Sequence, residues 1–173
     1  MIKKTKFKGL YIIKKKKFQD NRGFFMELLK NKDIKKNFPF VMCSQSKKNV
    51  VRGLHFQVNN SQGKYVSVIK GEVFDVALDL RKNSQTFGKV FTIILSEKNY
   101  KSIFIPEGFA HGFCSLSKDT TIIYSSTRYR DAKNEIIIRY NDKDLKINWP
   151  IKKPIVSMKD RKGLTYEEYL KKY

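Results

Sequence analysis

The chain predicts an all-β fold, an antiparallel sandwich or barrel, on three observations. Short runs rich in Val, Ile, Phe and Tyr recur through all 173 residues, the composition of pleated, half-buried strands. Turn signals separate them, among them Asp20-Asn21-Arg22-Gly23, Lys70-Gly71-Glu72 and Asn83-Ser84. No strand–helix–strand alternation appears and no Gly-rich phosphate loop follows a strand, which argues against Rossmann and P-loop enzymes.

In chain order, strands are expected at 10–13, at 23–29 behind the Asp20–Gly23 turn, and at 40–46 and 50–57 on either side of a Lys-Lys-Asn turn. After the Asn- and Gly-containing segment 59–63 come 65–70 and 73–80, separated by Lys70-Gly71-Glu72. Runs at 90–95, 102–105, 112–116, 120–129 and 135–140 follow, each bounded by polar or Gly/Pro residues. Many short strands at close spacing suit a sandwich or barrel. Helical signals are few: a charged stretch at 31–36, and 165–172, where Thr165 and Glu168 have capping-box spacing. Residues 149–173 contain Pro150 and Pro154 and are expected to wrap the barrel as an irregular tail. Residues 1–173 read as a single domain, long enough for one core and too short for two.

The 37 basic and 16 acidic residues give a net charge of +21, which raises the question of a nucleic-acid partner. The lysines answer it by their distribution: short clusters at turns and termini, with no basic helix or stripe. A cationic, solvated surface and no nucleic-acid partner are expected. Cys43 and Cys114 lie in apolar runs far apart in sequence, predicting reduced, buried thiols rather than a disulfide framework or zinc site. Residues 1–17 lack an apolar core of signal-peptide length, and no run approaches a membrane span. The expectation is a cytoplasmic chain without a membrane partner.

Chemistry concentrates in Arg52-Gly53-Leu54-His55-Phe56-Gln57 and Lys64, which bring a guanidinium, a base and a cation into one strand-like stretch. The only other histidine, His111, lies in Pro106-Glu107-Gly108-Phe109-Ala110-His111-Gly112-Phe113. On a regular strand 50–57, His55 shares a face with Gly53 and Gln57, and Arg52 and Leu54 point the other way. His55 can be read as a hydrogen-bonded structural residue or as a base; an inward-pointing basic group in a small barrel needs a partner or a charged ligand. A metal site is disfavoured, because the position two after His55 is Gln57 and two histidines are too few for a convergent ligand set. Acid–base chemistry is the alternative.

With Gln62-Gly63-Lys64, Gly71-Glu72-Val73-Phe74-Asp75-Val76, Asp79-Leu80-Arg81, Thr86-Phe87-Gly88, Asn141-Asp142 and Asn148-Trp149-Pro150, these motifs resemble, in order and over nearly the whole chain, the dTDP-4-dehydrorhamnose 3,5-epimerase family. The resemblance implies a cupin-type jelly-roll β-barrel with a few short helices, usually a homodimer, that needs no metal or organic cofactor. It also implies a nucleotide-diphosphate sugar substrate, inverted at the carbons flanking a C4 ketone. Protons at C3 and C5 are both alpha to that carbonyl, so removing either gives an enolate whose charge collects on one oxygen. By similarity His55 is the base, held by Asp160, and Tyr124 the opposing acid. Lys64 and His111 would stabilise the enolate oxygen, with Asp75 or Asp79 expected to pair with Lys64. Substrate-binding positions carried over are Arg22, Phe25, Glu27, Arg52, Gln57, Tyr129, Glu135 and Lys159, with Arg22 and its strand reaching a partner subunit.

The chain departs from the family pattern in two places. A Gln-x-Asn pair before the Arg-Gly-Leu-His strand is replaced by Phe40 and Met42, and the tyrosine six residues beyond the acid falls on Arg130, with Tyr129 beside it as a substitute. These changes leave the acid–base set intact and bear on the substrate. A C3-only or C5-only epimerase, an enzyme of a GDP-linked 4-keto-6-deoxy heptose, and a silent sugar-nucleotide binding module stay open as alternatives.

Overall fold

A computed structural model of the chain describes residues 1–173. The strands, in order, are β1 (Ile2–Lys4), β2 (Tyr11–Lys14), β3 (Lys17–Asp20), β4 (Gly23–Met26), β5 (Phe40–Lys47), β6 (Val50–Gln57), β7 (Lys64–Lys70), β8 (Glu72–Asp79), β9 (Val90–Ser96), β10 (Lys101–Ile105), β11 (Phe109–Ser115), β12 (Asp119–Ser126), β13 (Glu135–Ile137) and β14 (Ile155–Val156). Helix α1 (Asn31–Ile34) precedes β5, and α2 (Met158–Arg161) and α3 (Tyr166–Lys172) end the chain.

Two sheets face each other. One runs β1-β2-β10-β7-β12-β5, and the other β13-β6-β11-β8-β9 with β14 added beside β6. Apart from the parallel β14–β6 contact, the strand pairs are antiparallel. Inward residues of the first sheet (Val66, Val68, Ile103, Ile122) meet Val73, Ala77, Leu95 and Phe113 of the second in the main core. A second apolar layer lies behind the other sheet, where Leu54, Phe56, Val76 and Leu78 are covered by Leu145 and Tyr169. Thus β11 is buried along its whole length, matching its near-continuous apolar sequence. The antiparallel sandwich expected from the strand spacing is the fold observed, in the jelly-roll form that the family resemblance implies.

Differences from the sequence reading have local causes. Strands β1, β3 and β14 escape notice because they are short, polar or both. The strand expected at 120–129 ends at Ser126, where Thr127 turns its hydroxyl to accept from the Gly63 N–H. The strand expected from 112 begins at Phe109, since its pairing with β8 starts at Phe109↔Asp79, so His111 lies inside a strand. The tail is not irregular throughout: it supplies β14, α2 and α3, the last with the anticipated Thr165–Glu168 capping box. Cys114 is buried as expected, but Cys43 is exposed, because β5 is the outer strand of its sheet.

The alternation expected along β6 is also overturned. His111 pairs with His55 and Phe113 with Arg52, so three steps on β6 oppose two on β11, the signature of a bulge. The extra residue brings Arg52 and His55 to the same cavity, while Leu54 packs into the opposite apolar layer. Glycine makes this possible: Gly53 has φ +112°, and a Cβ there would lie 2.7 Å from the Gly112 Cα.

Candidate active site

At one end the two sheets part around a cavity of about 810 Å³, within the size range of small-molecule sites. One wall comes from β5, β7 and β12 (Met42, Ser44, Lys64, Tyr124), the other from β6, β11 and β13 (Arg52, His55, His111, Glu135), and the tail closes over it with Lys159 and Asp160.

His55 is gripped from both sides. Its Nε2 lies 2.9 Å from Asp160 Oδ1 and its Nδ1 3.4 Å from Glu135 Oε1. The Asp160 contact is a charge pairing rather than an aligned hydrogen bond. The tail delivers Asp160 through β14, which runs beside β6 in the register Ile155↔Val50, and through Ser157, whose hydroxyl caps α2 by accepting from the Asp160 N–H at 3.0 Å. Burial alone would lower the His55 pKa, but Asp160 and Glu135 outweigh it and raise the value above that of an ordinary histidine. For Asp160, burial pulls upward and is overcome by His55, Ser157 and the Gly53 backbone, leaving the carboxyl below its usual range. The His55 contact contributes most to holding Glu135 ionised, and Arg130 and Lys159 add to it.

Glu135 is a hub. Lys159 Nζ sits 2.7 Å from its Oε1, and Arg130 donates from Nε at 3.0 Å and from its terminal nitrogen at 3.1 Å. Arg130, which the sequence marked only as a departure, therefore belongs to the site. Its neighbour Tyr129 does not take the vacant role; it is 67% exposed and packs on Phe40 with ring centroids 5.6 Å apart.

Across the cavity, Tyr124 accepts or donates a 3.0 Å hydrogen bond with the Ser44 hydroxyl and lies edge-on to His111. Burial pushes its phenol well above the ordinary value, against the pull of Ser44, so it retains its proton at neutral pH. His111 is buried and held by Asp75, Nε2 to Oδ2 at 2.9 Å. Asp75 thus serves His111 rather than Lys64, and Asp79 is taken by Arg81, Ser84 and Thr86 at 2.6–2.8 Å, which hold it down to about 2 against its burial. Lys64 has neither expected partner. Its ammonium is pushed down by burial, and a cation so placed gains from any negative charge entering the cavity.

Other expected residues lie elsewhere. Gln57 is buried with its amide spent on loop backbone, Nε2 donating to the Asn60 carbonyl and Oε1 accepting from the Asp131 N–H. It tethers two loops and offers no group to a ligand. Arg22, Phe25 and Glu27 stand on or next to the projecting β3–β4 hairpin, outside this chain's cavity. The Arg22 side chain is 86% exposed and pairs with Asp20, Phe25 is 64% exposed, and Glu27 pairs with Lys30. Ser44 went unread, and Asp75 was read with a different partner. Ser44 and Asp75 act through Tyr124 and His111, and only strand register brings them there. No three His, Cys, Asp or Glu side chains converge in an arrangement suited to a metal ion.

The arrangement provides a carboxylate-held imidazole on one sheet and a protonated phenol on the other, with an unpaired ammonium and a held histidine between them. Comparison with known proteins agrees with that chemistry. The family model for dTDP-4-dehydrorhamnose 3,5-epimerase matches residues 4–168. An epimerase of that name from Shigella flexneri is 42% identical over 167 residues, covering 92% of each chain. One from Neisseria gonorrhoeae is 42% identical over 170 residues, 95% of this chain; there this chain spans about half, 52%, of the relative's length. The crystal structure of dTDP-6-deoxy-D-glucose-3,5-epimerase from Legionella pneumophila in complex with dTDP-4-keto-L-rhamnose superposes with a TM-score of 0.90 at 41% identity, covering 94% of this chain and 90% of that one.

Proposed function

The chain belongs to the dTDP-4-dehydrorhamnose 3,5-epimerase family, and we propose that it inverts C3 and C5 of dTDP-4-dehydro-6-deoxyglucose to give dTDP-4-dehydrorhamnose. The observation that carries this is the opposition of His55–Asp160 and Tyr124 across one cavity, with Lys64 and His111 between them. Inversion needs exactly such a pair, a base on one face of the ring and an acid on the other.

In this reading, neutral His55 takes the proton alpha to the C4 ketone, and Asp160 fixes its orientation and stabilises the imidazolium that forms. Lys64 and His111 donate to the oxygen on which the enolate charge collects. Tyr124 then returns a proton to the opposite face. Lys159, Arg130 and Arg52 offer positive charge for the diphosphate at the cavity mouth; guanidinium groups suit it through paired hydrogen bonds. These steps call on side chains alone, without a metal or organic cofactor. A homodimer in the cytoplasm, each protomer one domain, completes the proposal, with Arg22, Phe25 and Glu27 of the exposed hairpin reaching the partner's nucleotide.

One observation favours a second reading of the nucleotide. Phe40 and Met42 present apolar side chains where the family has a polar pair, Phe40 packs at a tilt against Tyr129, and Arg130 enters the cavity. A different nucleotide, such as a GDP-linked 4-keto-6-deoxy heptose, or inversion at only one carbon fits such a change. Proton NMR of dTDP-4-keto-6-deoxyglucose with the protein in deuterated water decides. Loss of both the C3 and C5 proton signals establishes the 3,5-epimerase, loss of one a mono-epimerase, and loss of neither overturns the dTDP-sugar assignment.

A further inference from the structure

The base in this cavity has no free nitrogen. Abstraction of a carbon-bound proton requires a neutral imidazole with a lone pair aimed at the substrate, yet both ring nitrogens of His55 face carboxylates. The two contacts differ. Asp160 is buried, close at 2.9 Å, and fixed by its helix cap. Glu135 is farther at 3.4 Å, its own side chain 12% exposed, and its other contacts are to Arg130 and Lys159, whose side chains are 49% and 59% exposed.

We infer that Glu135 is a resting-state partner of His55: held by Arg130 and Lys159, it occupies the Nδ1 side of the imidazole that must face the substrate, and has to leave when substrate enters. The inference rests on the epimerase reading for the role of His55 as base. Glu135 is here a positioning residue, acting through His55. The two cations that hold it are also those an incoming diphosphate would draw, so the arrival of an anionic substrate and the release of Nδ1 are coupled.

Charged groups from several elements surround the His55 ring. Arg52 of β6, Lys64 of β7, His111 of β11, Tyr124 of β12, Arg130 of the β12–β13 loop, Glu135 of β13, and Lys159 and Asp160 of α2 line its cavity. Among them the anions are Glu135 and Asp160, and every other charged group disfavours an imidazolium. The two carboxylates therefore raise the His55 pKa. Sign follows directly: the active form is neutral His55, so activity of the free enzyme is lost as pH falls through that raised value.

Histidine ring NMR of the free protein tests this, since the chain has two histidines and His111 serves as internal reference. Glu135→Gln keeps the shape and removes the anion. Expected is a His55 midpoint lower by about one pH unit, the size of effect one nearby opposite charge produces, with the His111 resonance unmoved. In parallel, kcat/KM for proton exchange, measured on the acid limb below both midpoints, should rise about tenfold. An unmoved His55 midpoint, or a fall in kcat/KM at every pH with an unmoved acid limb, overturns the inference and makes Glu135 an ordinary substrate contact. If the midpoint moves but neither protein exchanges substrate protons, the Glu135–His55 pairing stands and the epimerase reading is what fails.

Discussion

His55 and Tyr124 face the same cavity from opposite sheets, and their substitution separates the two halves of an inversion. His55→Ala should abolish exchange of both substrate protons while sugar-nucleotide affinity, by calorimetry, stays within a few fold, because the diphosphate contacts are untouched. Tyr124→Phe should slow inversion by about 10²-fold or more, the usual worth of a positioned acid, while deuterium wash-in falls less, since deprotonation needs only the base. Wash-in falling as far as inversion would remove Tyr124 from the acid role. At this scale the positions carried over from the family resemblance were the most legible: His55, Lys64, His111, Tyr124 and Asp160 all reach the cavity. The sequence misled where a side chain is equally good at binding a loop or a ligand. Gln57 satisfies two loop backbones, and Tyr129 packs against Phe40 outside the cavity that Arg130 lines.

Among the elements, β6 shows how a correct strand can hide a wrong face. Its bounds were readable from its apolar run, but strict alternation would have separated Arg52 from His55, and only the bulge between the His111 and Phe113 pairs unites them. The signal was Gly53, whose meaning depends on Gly112 across the ladder. Gly53→Ala places a methyl 2.7 Å from the Gly112 Cα at a φ of +112°. Backbone strain of about 1–3 kcal/mol plus overpacking of similar size should lower the melting temperature by about 10 °C, and kcat should fall with it as His55 loses its aim. A normal melting curve with normal turnover would show that the strands separate easily there. The tail elements were half legible. The Thr165–Glu168 spacing announced α3, whereas the two residues of β14 carry no pattern of their own and exist because β6 offers an edge.

The whole molecule is a sandwich whose length, strand spacing and turn signals were enough to foresee it, and whose assembly they were not. Phe24 and Phe25 of the β3–β4 hairpin stay largely exposed, with only Lys17 over the Phe24 ring and Phe18 beside Phe25, and sequence cannot say whose surface they meet. If the hairpin serves a partner's nucleotide, Arg22→Ala with Phe25→Ala should raise KM about tenfold or more and leave kcat nearly unchanged, the mark of lost uniform binding. Equal KM values for variant and native protein would assign the hairpin to another task. The same molecular view gives the cavity its most far-reaching property. Residue 55 obtains its carboxylate from residue 160, brought by a tail that docks on the back of one sheet. With His55 as the proposed base, catalysis would sense whether that tail is seated. On gentle heating, proton exchange should fade several degrees before the far-ultraviolet signal of the sheets does, because frayed segments open at lower free energy than a core, and the enzyme would fall silent while still largely folded.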